Sequence, residues 1–146
     1  METVKYIKLK ENAVTPTYGT PFAAGADLYA CMDEDVTIAP GGTEMIHTGL
    51  AIQIPSGLVG LVYARSGIAS KRGLAPSNKV GVVDSDYRGE IMVSIHNHSN
   101  EPQQISDGER IAQLVIAPYI KANFELAETL EETERGSGGF GSTGTK

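Results

Sequence analysis

Short runs of β-type residues, cut by turn residues about every eight to twelve positions, occupy most of this chain. The runs are Val4–Leu9, Val36–Ile38, Met45–His47, Leu50–Ile54, Leu58–Tyr63, Lys79–Val83, Glu90–His96, Arg110–Ile116 and a last short piece, Phe124–Leu126. Pro40-Gly41-Gly42, Pro55-Ser56-Gly57, Ser77-Asn78, Asn97 to Pro102 and Asp107-Gly108 separate them. No segment keeps a 3.6-residue apolar period, so a helical bundle is excluded. Only Ser66 to Arg72 reads as a short helix, with Ser66 as its cap and Gly73 as its stop. The expectation is an all-β domain, a jelly-roll-like barrel or sandwich, with one short helix. The 17 glycines and 7 prolines, roughly one residue in six against about 12% in ordinary chains, fit a turn-rich fold.

A length of 146 residues supports one core and not two. The expected organisation is a β domain over residues 1–130 and a flexible tail over 131–146. The tail opens on the acidic run Glu131 to Glu134 and continues with Arg135, a lone Phe140 and several glycines, too little apolar surface to fold alone. It reads as a floppy end or as a segment that orders over a ligand, with an aromatic for stacking and hydroxyls for phosphate oxygens. A net charge of −6 argues against general adhesion to nucleic acid or to an anionic membrane. The start, METVKYIKLKEN, lacks the layout of a signal peptide, and no apolar run approaches the length of a membrane span. A single cysteine, Cys31, forbids an intrachain disulfide; a cytoplasmic protein is expected, with Cys31 as a small buried apolar residue.

Several segments carry more polar chemistry than a plain sandwich needs. Gly81 to Ile91 reads as a hairpin whose tip holds Asp84, Asp86, Tyr87 and Arg88. Turn chemistry accounts for Asp86 and Gly89, and less well for Tyr87, a large aromatic at a solvated tip. Asp84 closes an apolar strand, where partial burial would raise its pKa and suit it to base catalysis. Ala64-Arg65-Ser66-Gly67 joins a strand to the helix start and offers backbone donors, a hydroxyl and a guanidinium to an anion. Asp27 lies within the apolar Ala24–Tyr29 and needs a cation, either a salt-bridge partner or a metal nearby. Gln113 lies among apolar residues of Arg110–Ile116 and needs partners if buried. His96 and His98 alternate on one strand face, but no third metal ligand is near them in sequence.

Together these segments resemble the homotrimeric dUTPase family, in five motifs taken in order: Ala24–Ala30; Ala64–Gly67; Asn78 with Gly81–Gly89; Gly108–Gln113; and Arg135–Gly144. The similarity covers nearly the whole chain. Ala26 stands where many relatives carry a larger residue. The resemblance implies a jelly-roll-like fold, a homotrimer with active sites between subunits, and Mg²⁺-assisted hydrolysis of dUTP to dUMP and pyrophosphate. That activity limits uracil in DNA and supplies dUMP for thymidylate synthesis. Carried over by position, Asp84 orients and deprotonates the attacking water. Tyr87 packs under the deoxyribose. Asn78 and backbone near Gly81 and Val83 read uracil. Arg65, Ser66, Gly67 and Gln113 hold phosphates, and Asp27 acts near the metal through bound water. Phe140 stacks on the base while Arg135, Gly141, Ser142 and Thr143 close over the triphosphate. Two other readings compete. A dCTP deaminase on the same fold would release ammonia and needs an acid–base group poised at the base ring. A non-catalytic nucleotide-binding or regulatory module would lack Asp84, the tail arginine or Phe140, all of which are present.

Overall fold

The structure, a computed structural model, describes residues 2–140. Eleven strands and one helix follow in the order β1 (Lys5–Lys8), β2 (Thr17–Tyr18), β3 (Ala26–Tyr29), β4 (Val36–Ile38), β5 (Thr43–Gln53), β6 (Leu58–Tyr63), α1 (Ser66–Arg72), β7 (Leu74–Pro76), β8 (Gly81–Val83), β9 (Glu90–Asn97), β10 (Gln103–Ile105) and β11 (Arg110–Pro118). All ladders are antiparallel. They form two principal sheets, β1-β5-β9-β7 and β2-β3-β11-β6-β8, with β10-β4 as a separate pair. This is the all-β class that the short runs implied.

Period-two alternation explains which faces meet. In β9, Ile91, Val93 and Ile95 are buried while Met92, Ser94 and His96 are more exposed. Leu28, Ile46, Leu50, Ile54 and Ile111 join Ile95 in the core between the sheets, none of them more than 2% exposed. Each such side chain contributes about 1.5–3 kcal/mol through its burial.

The structure departs from the sequence expectations in a few places. Met45–His47 and Leu50–Ile54 belong mainly to one strand, β5, which passes through a bulge instead of turning. Phe124–Leu126 forms no strand: β11 already has β3 and β6 on its two edges, so the segment that follows cannot fold back to pair with it. Along that segment Ile120, Phe124, Leu126 and Leu130 are almost wholly exposed. Ser66 does not cap α1. Arg65 takes the cap position with extended backbone and no side-chain cap bond, which leaves the Ser66 hydroxyl outside the capping role, while Gly73 ends the helix in the left-handed conformation.

Gly81–Ile91, expected as a hairpin, is not one. β8 pairs with β6 in one sheet, and β9 pairs with β5 and β7 in the other. Residues 84–89 therefore cross between sheets. The apolar face of β9 must pack across the core from β6 and β11, and it cannot do so while laddered to β8.

Candidate active site

The crossing opens a cleft of about 260 Å³ between the diverging strands. Asn78, Gly81, Val82, Val83, Asp84 and Tyr87 line one side, and Met45, Glu90, Met92 and Ser94 line the other. Among the described residues β8 is the last strand of its sheet, so one edge of its backbone has no ladder partner there and faces this opening. The Asn78 amide lies over Gly81: a Cβ built on Gly81 would stand 3.3 Å from Asn78 Nδ2. The Tyr87 hydroxyl donates to the Glu90 carbonyl at 2.9 Å, and the Tyr87 N–H donates to the Asp84 carbonyl at 3.2 Å. Arg88 Nη1 donates to the carbonyls of Ser85 and Tyr87 at 2.7 and 2.9 Å, tightening the loop. Tyr87 is 43% exposed. Asp84 is also exposed, not partly buried as its place at a strand end suggested, because the strand stops at Val83 and the next residue already lies in the crossing.

A second polar cluster forms on the same sheet, level with the Tyr63 end of β6. Asp27 on β3 stands opposite Gln113 on β11, which stands opposite Tyr63 at the end of β6. Asp27 is 8% exposed, and its charge is balanced: Arg65 Nε donates to Oδ1 at 2.7 Å, and Arg110 Nη1 donates to Oδ2 at 3.4 Å. The salt-bridge expectation for Asp27 is met by two arginines. Arg65 spends its Nε on Asp27, while among the described residues no protein acceptor takes its two Nη groups, which are free to grip a planar or tetrahedral anion. Gln113 Nε2 donates to the Ala64 carbonyl at 2.9 Å, tying β11 to the segment that leads into Arg65. Gly25 is small because Gln113 fills its side: a Cβ there would lie 2.3 Å from Gln113 Oε1. Ser66 and Gly67 follow at the exposed start of α1.

One chain does not bring the two clusters together. Val83 stands opposite Gly60, so Asp84 leaves the ladder toward the Leu58 end of β6, whereas Arg65 follows the Tyr63 end. At about 3.3 Å per residue, Gly60 and Arg65 are on the order of 15 Å apart along the strand direction.

The tail residues are separate again. Arg135 Nε donates to the Gly138 carbonyl at 2.8 Å in a local turn, and Phe140 is fully exposed. The expected contributions of Gly141, Ser142 and Thr143 lie outside the described residues. The His96 and His98 rings meet edge to face at 4.4 Å, and His96 Nδ1 is 2.8 Å from Thr43 Oγ1. Burial, with the neighbouring His96 and Lys79 charges, lowers the His98 pKa.

Two site residues escaped the sequence reading. Arg110 meets Asp27 only through the β3–β11 register, and Glu90 reaches the cleft only because β9 turns away from β8. An arginine three residues before Gln113 and a carboxylate just after a tip glycine were the only local signals.

The family model for dUTPase matches residues 11–144. A deoxyuridine 5'-triphosphate nucleotidohydrolase from Desulfitobacterium hafniense is 53% identical over 142 residues, covering 97% of this chain and 94% of the relative. The protein of the same name from Hahella chejuensis is 50% identical over 132 residues, covering 90% and 87%. Among solved structures, a variant of the Staphylococcus bacteriophage 80alpha dUTPase with dUpNHpp superposes with a TM-score of 0.87 at 31% identity, covering 99% of this chain and all of that one. A dUTPase variant from phage phi11 of S. aureus, described with a structural Mg(II) ion, gives a TM-score of 0.78 at 29% identity, covering 90% of this chain and all of that one. Sequence similarity from the second polar cluster through the cleft to the tail, carried on the same arrangement of sheets, makes this chain a member of the dUTPase family.

Proposed function

We propose that this chain hydrolyses dUTP to dUMP and pyrophosphate, with uracil and deoxyribose seated in the cleft between β8 and β9. The observation that carries the reading is the unpaired edge of β8 beside Asp84 and Tyr87. A free strand edge presents alternating N–H and C=O groups, and uracil's acceptor–donor–acceptor edge pairs with such a pattern as a further strand would. Cytosine keeps the O2 acceptor but inverts the N3 and C4 positions, and would leave buried groups unpaired, which costs about 1–3 kcal/mol for each group. The cleft volume suits a base and sugar better than a whole triphosphate.

In this reading Asn78 and the backbone of Gly81 and Val83 hold the base, and Tyr87 lies under the deoxyribose where a 2′-hydroxyl would have to sit. Asp84 orients a water and takes its proton as the oxygen attacks the α-phosphorus. The new P–O bond stays in dUMP, the bond to the bridging oxygen breaks, and pyrophosphate carries away the electron pair. Solvent exposure leaves Asp84 open to that water. Arg65, Ser66, Gly67 and Gln113 receive the phosphates, with Asp27 holding the Arg65 guanidinium in place. Phe140 stacks on the base and Arg135, Gly141, Ser142 and Thr143 close over the phosphates, excluding bulk water.

The donor chemistry suits Mg²⁺. Among the described residues no group of three His, Cys, Asp or Glu side chains forms a cage. Mg²⁺ keeps several waters and is commonly held by phosphates with one or two carboxylates. Asp27, whose Oδ2 is only loosely engaged by Arg110, would hold it through bound water. When bound, the ion supplies charge neutralisation along the phosphates.

The same geometry supports a homotrimer. Asp84 and Arg65 lie too far apart in one chain to act on one phosphate, so a site using both draws them from different subunits. The exposed apolar side chains from Ile120 to Leu130 supply a segment for a neighbouring copy to cover. Neither nucleic acid nor membrane is a partner in this reading; no helix among the described residues is long and apolar enough to cross a membrane. A cytoplasmic location fits the free, buried Cys31.

Pyrophosphate release measured with dUTP, dTTP, dCTP and UTP, with and without a chelator, tests the proposal. The expected result is turnover of dUTP alone, abolished by chelation. Ammonia release from dCTP would establish the deaminase reading instead, and tight dUTP binding without turnover would establish the regulatory one.

A further inference from the structure

β5 and β9 pair residue for residue from Thr43 opposite His96 to His47 opposite Met92, then lose register before Ala51 meets Glu90. Thr48, Gly49 and Leu50 thus face the single residue Ile91, a bulge that requires a left-handed residue, and Gly49 supplies it with φ of 67°. Its bonds converge on the start of β9. The Thr48 hydroxyl donates to the Ile91 carbonyl at 2.5 Å. The Glu90 carboxylate takes the Gly49 N–H on Oε1 at 2.8 Å and meets His47 Nδ1 with Oε2 at 2.9 Å.

The same Glu90 holds Tyr87 through its main chain, since its carbonyl accepts the Tyr87 hydroxyl. Among the described residues that carbonyl is the hydroxyl's one hydrogen-bond partner, and the ring is 43% exposed at the cleft mouth. Gly89 leaves room for it: a Cβ there would fall 2.4 Å from the Tyr87 hydroxyl oxygen. A continuous path therefore runs from the β5 bulge through the Glu90 carboxylate to its carbonyl and on to the Tyr87 ring.

We infer that Glu90 is a positioning residue for sugar discrimination: its side chain clamps the first residue of β9 to the β5 bulge, and its carbonyl thereby sets the ring that excludes a 2′-hydroxyl. The inference rests on Tyr87 as the sugar gate and assigns the group that aims it. The Glu90 carboxylate is engaged by β5, and its main-chain oxygen accepts the Tyr87 hydroxyl.

The test is kcat/KM for dUTP and for UTP in the full chain, for the wild type, Glu90→Ala, Glu90→Gln, Tyr87→Ala and the double variant Glu90→Ala/Tyr87→Ala. Displacing a positioning contact by about an ångström can cost up to about a hundredfold. The expected loss in the dUTP/UTP ratio for Glu90→Ala is about tenfold. Glu90→Gln, which keeps an acceptor for the Gly49 N–H, recovers most of it. In the Tyr87→Ala background, Glu90→Ala changes the ratio by less than about twofold, because there is no ring left to aim. A residue acting only on stability would leave the ratio unchanged in every background. If Tyr87→Ala loses discrimination and Glu90→Ala does not, the inference is overturned while the sugar gate stands; if Tyr87→Ala itself keeps the wild-type ratio, the sugar-gate reading falls and the inference with it. Should Glu90→Ala fail to fold, His47→Ala removes one arm of the clamp and leaves the Gly49 N–H bonded. A ratio lowered about threefold then supports the clamp, and an unchanged ratio overturns it.

Discussion

Replacing Gly25 by alanine places a methyl carbon 2.3 Å from Gln113 Oε1, 3.0 Å from its Cδ and 3.1 Å from its Cβ. Oε1 and Cδ can move by side-chain rotation, whereas Cβ moves only with the backbone. The Gln113 amide must leave its bond to the Ala64 carbonyl, worth about 1 kcal/mol net, and β3 and β11 must also give slightly, at about 1–3 kcal/mol for overpacking. The variant should therefore lose about 2–4 kcal/mol. At roughly 2–4 °C per kcal/mol for a chain of this size, Tm falls by roughly 5–15 °C at fixed protein concentration. Gln113→Ala removes the two nearest atoms, so in that background Gly25→Ala should cost no more than about 1 kcal/mol, a coupling of about 1–3 kcal/mol. Thermal melts of the four proteins measure this cycle, and steady-state kinetics on the folded variants should show KM for dUTP rising more than kcat falls. Strictly additive melts, or a Gly25→Ala protein as stable as the wild type, would refute the claim that this glycine exists to seat Gln113.

Asp84→Asn should bind a non-hydrolysable dUTP analogue with near wild-type affinity while kcat drops about 10²- to 10⁴-fold, and turnover at the wild-type rate would remove Asp84 as the base. A chain ending at Glu134 should keep its far-ultraviolet dichroism and melt cooperatively, yet turn over dUTP at least about tenfold more slowly; full activity would show that the tail plays no part in closure. Burial raises the Cys31 thiol pKa, with the Asp107 charge adding to the effect, so its thiolate is scarce in the native state. Iodoacetamide at pH 8 should alkylate the native chain far more slowly than the denatured chain. Because the folded pKa is raised, this contribution to stability is present below the ordinary thiol pKa and is lost as pH climbs through the native value; denaturant melts between pH 7 and 10 would reveal it, with Cys31→Ser lacking that pH dependence.

Much of the fold was legible because its signals are local. Alternation in Glu90–His96 and Arg110–Ile116, and turn residues such as Pro55-Ser56-Gly57, act over a few positions whatever lies across the core. The strands β2, β7 and β10 were missed for the opposite reason: Thr17–Tyr18, Leu74–Pro76 and Gln103–Ile105 are two or three residues long, too short for a period, and are strands only because a neighbour pairs with them.

The candidate site divides along the same line. The residue types were legible in the sequence: an aspartate and a tyrosine after an apolar run, an arginine and a serine at a helix start, an acid inside an apolar strand. Their arrangement was not. Only the packed structure separates β8 from β9 and so opens the cleft, sets Arg110 against Asp27, bulges β5 to meet Glu90, and puts Asp84 and Arg65 toward opposite ends of β6. Backbone alternation decides which face of a strand is apolar. Which strand lies beside it, and in what register, is decided by fitting two apolar faces together across the core, and that depends on residues far apart in the chain.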